Sequence, residues 1–77
     1  MLVDVTHLKS GEVGVVKEIA GGFSLAMRMQ NMGVRVGERV KKISSHFWCG
    51  PQTIEVGHFK VALGYGVAKK IIVEVER

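Results

Sequence analysis

The side chains best suited to chemistry in this chain are its single cysteine and the histidines around it. The spacing His46-x2-Cys49 lets an imidazole and a thiolate reach one soft or borderline ion. His58 could add a third ligand, and His7 is a remote fourth. His46, Cys49 and His58 are therefore the candidate ligands for a divalent transition metal, iron or zinc. A closed structural zinc site usually has four ligands in paired spacing, and only one such pair stands here. The competing reading makes the histidines surface residues and Cys49 a small, partly buried hydrophobe.

The same residues can be tested for catalysis. Cys49 with His46 or His58 has the types for a nucleophile and a base, but no third group or oxyanion-stabilising element is recognisable. A chain of 77 residues also offers little room for a water-excluding pocket, so the expectation is a protein that is not an enzyme. Gly21-Gly22 lacks the following Gly-Lys-Ser/Thr that cradles phosphates, and Gly64-Tyr65-Gly66 is an isolated pair of glycines. Any nucleotide chemistry must belong to a partner.

Partner binding has its own candidates. Phe47-Trp48 sits beside Gly50-Pro51, and loop aromatics either plug a small core or stay exposed as interface anchors. Arg35, Arg39, Lys41 and Lys42 form a basic rim nearby in sequence, able to steer an acidic protein surface. The candidate contact residues are Phe47, Trp48, Arg35 and Arg39. Eleven basic against seven acidic residues give +4, but the charge is spread along the chain. RNA readers interleave aromatics with Lys or Arg, and no strand here does so. Nucleic acid is thus not the expected partner, although a nucleic-acid-binding barrel remains the alternative class.

The elements that must position these residues are short strands punctuated by ten glycines. Glu12 to Ile19 is rich in β-branched residues, with an imperfect alternation that predicts either burial on both faces or a bulge at Gly14. A helix follows, capped by Ser24, with Leu25, Met29 and Met32 on one stripe and Gly33 as its terminator. Glu38 to Ser45 reads as a strand anchored by Val40 and Ile43. Ile54 and Val56, then Phe59, Val61 and Leu63, alternate on either side of Gly57-His58, which predicts a type II′ hairpin. Gly64 to Lys70 is a turn or one helical turn, and Ile71, Val73 and Val75 alternate in a final strand. The fold class is mainly β, a small SH3-like barrel of five to six short strands with one short inserted helix, as one domain over 1–77. Cys49 alone cannot form an internal disulfide, and neither a signal peptide nor a bilayer-length apolar run is present, so a cytoplasmic protein is expected. A homo-oligomer through an open strand edge is compatible with such a barrel.

The run from Leu8 to Val75 resembles the bacterial FeoA family, small proteins of ferrous iron transport. The matching pieces are Leu8-Lys9-Ser10-Gly11, Gly14-Val15-Val16 with Ile19, and Arg28 to Val34 followed by Gly37 and Val40. Gly50-Pro51 precedes a strand, and Val61-Ala62-Leu63-Gly64 leads to Ala68 and Ile71-Ile72-Val73, as in the family. Two departures stand out: His46-Phe47-Trp48-Cys49 where the family often has a proline-containing loop, and Val36 where a proline often precedes the glycine. The resemblance implies an SH3-like barrel and a cytosolic accessory role in ferrous iron uptake. It also implies docking on the cytosolic GTP-binding part of the FeoB transporter, which would recruit the protein to the inner face of the membrane without inserting it. The same barrel occurs as the C-terminal domain of metal-dependent repressors, so a stand-alone metal-sensing domain is a further alternative.

Overall fold

Alternation of β-branched residues dictates most of the architecture, because each strand must turn one face to a shared core. The computed structural model describes residues 1–45 and 49–77. In chain order these form β1 (Leu2–Asp4), a 3-10 turn (Val5–His7), β2 (Val13–Ile19), α1 (Phe23–Asn31), β3 (Arg39–Ser45), β4 (Gln52–Val56), β5 (Phe59–Leu63), α2 (Tyr65–Ala68) and β6 (Ile71–Glu74). The strands make one antiparallel sheet in the order β1-β6-β2-β3-β4-β5. Its extents of 27 × 26 × 24 Å are nearly equal, so the sheet is coiled around its contents and not laid flat. The fold is mainly β and barrel-like, as expected for the SH3-like class.

The core lies inside that coil. Val16, Val40, Ile54, Val56, Leu63, Ile71 and Val73 point inward from the strands, and Leu25, Met29, Val34 and Ala68 close it from the helical segments. Two bulges provide the curvature, since an extra residue bends a strand and increases its twist. One falls between Val16 and Glu18, the other between Lys42 and Ser44. Gly14, expected as a possible bulge, instead takes an inward position on β2. A Cβ there would lie 2.9 Å from Val73 Cβ, so glycine permits the close approach of β2 and β6.

Three local expectations are corrected by packing. Ser24 is already inside the helix, and the cap position belongs to Gly22, which makes no side-chain cap bond. Met32 is the C-cap residue and stays 40 % exposed; the buried stripe is Leu25 and Met29, continued by Val34. Phe59, read as inward, is 74 % exposed beyond the end of the core. The helix terminator holds: Gly33 (φ +87) lets its N–H reach Gln30 O at 3.0 Å and Val34 N–H reach Met29 O at 2.8 Å, a Schellman pair. The N-terminus, read as no particular element, supplies β1, paired with β6, and the Met1 ammonium bonds the Glu74 carboxylate.

Candidate docking groove

Of the proposed metal ligands, Cys49 and His58 are held apart by the fold. His46 lies outside the described residues, as do Phe47 and Trp48. Cys49 precedes β4 and His58 follows it at the hairpin tip, with a strand of about 13 Å between them at ~3.3 Å per residue. Cys49 and His58 therefore share neither a metal site nor a nucleophile–base dyad within this chain. Cys49 is exposed, holds the left-handed φ of +61°, and has Tyr65 as its neighbour. The thiol side chain, first by hydrogen bonding and then by charge, pushes the Tyr65 hydroxyl above the ordinary tyrosine value. His7 is used locally: its Nδ1 lies 3.1 Å from Asp4 Oδ1, which also accepts from the Thr6 N–H and hydroxyl. Burial pushes the Asp4 carboxyl up, but the Thr6 and His7 bonds together outweigh it and hold it below the usual range. Among the described residues, no three His, Cys, Asp or Glu side chains converge as a metal site.

The basic rim is also divided by the fold. Lys42 is 1 % exposed and faces the core, where its Nζ donates to Val5 O at 2.9 Å and Leu8 O at 3.2 Å. Burial pushes its ammonium down from the ordinary lysine value, with the Asp4 charge acting in the opposite direction. Arg39 is exposed and lines a depression with Glu12, Glu74 and Glu76. Lys41 stands opposite Glu55 in the ladder, and Glu55 also faces Lys60. Arg35, Arg39 and Lys41 stay exposed. Arg35 lies 3.7 Å from Glu38 and is the one of the three beside the open groove between α1 and β5.

That groove, about 660 Å³, runs between the C-terminal end of α1 and the outer side of β5. Gln30, Asn31, Met32 and Gly33 form one bank, and Phe59, Lys60, Val61 and Ala62 the other. The Schellman pair ends α1 beside β5 and leaves Met32 facing solvent. The tight Gly57-His58 turn starts β5 at Phe59, beyond the end of the core. The result is a surface in which Met32, Phe59, Val61 and Ala62 lie beside the Gln30 and Asn31 amides, with two cationic side chains, Arg35 and Lys60, and no carboxylate among the lining residues. Exposed apolar side chains gathered in a groove mark interaction sites more often than single exposed residues do. Sequence reasoning missed Phe59 and Lys60, whereas the helix stripe that includes Met32 is readable either as a core face or as a partner surface. An aromatic directly after a two-residue turn was the available signal, because the first residue of a hairpin arm often overhangs the core.

Comparisons with known proteins agree with this architecture. The family model described as the FeoA domain matches residues 3–75. A Methanocaldococcus jannaschii protein named an Fe(2+) transport protein A is 36 % identical over 66 residues, covering 86 % of this chain and 78 % of that protein. The crystal structure of an iron uptake regulatory protein (FeoA) superposes with a TM-score of 0.86 at 30 % identity, over 96 % of both chains. A manganese-dependent transcriptional repressor shares the fold at 17 % identity, with a TM-score of 0.86 over 97 % of this chain and 42 % of that one. With the family model spanning nearly its whole length and the expected barrel in place, this chain belongs to the FeoA domain family.

Proposed function

We propose that this protein is an accessory factor of ferrous iron transport that works by protein–protein contact, docking on the cytosolic GTP-binding part of a FeoB-type transporter. Ferrous iron is the cargo of that system, and nucleotide turnover belongs to the transporter. The observation that carries the reading is the groove between α1 and β5. A member of this family presents there apolar side chains edged by Arg35 and Lys60, a surface suited to a partner. No helix among the described residues is long and apolar enough to cross a membrane, so the protein would reach the transporter by binding. The net charge of +4 adds long-range attraction to an acidic partner surface.

Titration of the full chain against the cytosolic portion of the ferrous transporter from the same organism tests this. It is run with and without a GTP analogue and ferrous iron, at two salt concentrations. Saturable binding that persists at the higher salt is expected, since the apolar contact is not screened. Absence of binding in every nucleotide and iron state would refute the docking role.

A further inference from the structure

The Gly57-His58 turn decides which backbone groups β5 leaves free. Val56 and Phe59 close the ladder, and in a two-residue hairpin that closing pair exchanges both of its N–H···O bonds. Hydrogen-bonded pairs then alternate along the strands. Phe59, Val61 and Leu63 turn their N–H and C=O groups toward β4, whereas Lys60 and Ala62 turn theirs outward. Among the described residues β5 pairs with β4 alone, so it is an edge of the sheet. Lys60 and Ala62 both line the groove. Among the described residues, one wall of the groove is therefore a row of unpaired backbone donors and acceptors, and Met32, Phe59 and Val61 provide its apolar surface.

We infer that this groove receives an extended segment of a partner protein as an additional strand on β5, with side chains that alternate between apolar and acidic. Main-chain bonds to Lys60 and Ala62 supply the attachment, and alternate side chains supply the selection. The apolar set meets Met32, Phe59 and Val61. The acidic set meets Lys60 and Arg35, the charged side chains of the groove. Charge also argues against a second copy as the occupant, because joining two β5 edges would gather the Arg35 and Lys60 of both molecules in a protein already at +4. The inference refines the docking reading and rests on it for the existence of a protein partner.

The probe is a capped synthetic peptide of alternating valine and glutamate, compared with its valine–lysine counterpart and with a version N-methylated on the backbone. Binding to the full chain is followed by amide chemical shifts and by hydrogen exchange. The expected result is a response centred on Lys60 and Ala62 with the glutamate peptide, lost on N-methylation. Ala62→Pro removes an outward N–H without removing a bond to β4, so the strand persists while binding falls by about tenfold or more. Lys60→Glu should weaken the glutamate peptide and favour the lysine one. A response elsewhere on the molecule, or equal binding by wild type, Ala62→Pro and the N-methylated peptide, would overturn the inference. So would self-association that protects the same amides as protein concentration rises, since the occupant would then be a second copy. The two proposals fail separately. A transporter domain that binds wild type and Ala62→Pro equally removes the β5 site and keeps the docking role. Peptide binding at β5 without transporter binding does the reverse.

Discussion

Among the described residues Lys42 is the one buried lysine, and replacing it by methionine isolates its charged end because the apolar stem keeps roughly its length. The ammonium bonds two carbonyls of the segment that joins β1 to β2. After Lys42→Met, Val5 O still accepts the Leu8 N–H at 3.2 Å, but Leu8 O loses its charged donor. An orphaned buried carbonyl costs about 1–3 kcal/mol, and a charged hydrogen bond contributes about 1.5–3 kcal/mol. Relief from burying an ammonium offsets part of this, and the downward shift of the Lys42 pKa, caused first by burial, gives that offset its sign. The net expectation is a loss of about 2 kcal/mol for Lys42→Met at neutral pH. Lys42→Ala also removes stem methylenes at about 0.8 kcal/mol each and leaves a cavity, so its loss should approach about 4 kcal/mol. Urea unfolding followed by far-ultraviolet circular dichroism measures both. The pH dependence provides a second check. A folded-state lysine pKa below the unfolded value of 10.5 means that the unfolded chain holds more protons between the two values, so wild-type stability rises with pH across that window. Lys42→Met lacks this rise, and the gap between the proteins should widen toward pH 10.5. Tyr65 is raised in the folded state and acts in the same region with the opposite sign, but it is common to both proteins and cancels in the difference. Equal or greater stability of Lys42→Met, or a gap that does not change with pH, would refute the assignment.

Gly14→Ala places a methyl carbon 2.9 Å from Val73 Cβ and Cγ2 in a filled interior, and should cost about 1–3 kcal/mol in urea unfolding; a neutral result would mean that β2 and β6 can separate freely. Val36→Pro should stabilise by about 0.4–1 kcal/mol, read as a higher thermal midpoint. Val36 precedes Gly37 (φ +96) in a turn closed by Glu38 N–H to Arg35 O at 3.0 Å, the position where proline is preorganised. Glu12 is held down to about 2, first by its bond from Arg77, then by the Lys9 N–H. A depressed carboxylate stabilises fully above its unfolded value of 4.5, and that stabilisation is lost as pH falls through about 2. Glu12→Gln should therefore flatten this part of the acid unfolding curve, and an unchanged curve would show that the Arg77 contact does not persist in solution. Phe59→Ser should leave the unfolding free energy within about 0.5 kcal/mol of wild type in urea unfolding, because the ring contributes little to the core, while weakening partner binding in the titration described above.

Local signals account for what the sequence alone determined about this protein. The β class, the single major helix with its Gly33 terminator and the two-residue hairpin at Gly57-His58 all depend on contacts a few residues apart, which periodicity and turn chemistry encode directly. The ordered short motifs likewise carried the family resemblance. Partnership across the sheet is different in kind. Leu2–Asp4 becomes a strand only because β6, at the far end of the chain, offers it an edge. Lys42 is buried because bulged β3 turns it toward carbonyls that another segment brings to it. Cys49 and His58 lie close in sequence, yet the extended span of β4 holds them apart. The groove exists because strand order leaves β5 at an edge beside the end of α1. Period and spacing say which face of a strand is apolar; only the packed sheet decides which strand is its neighbour, and so which backbone edge is left free to bind.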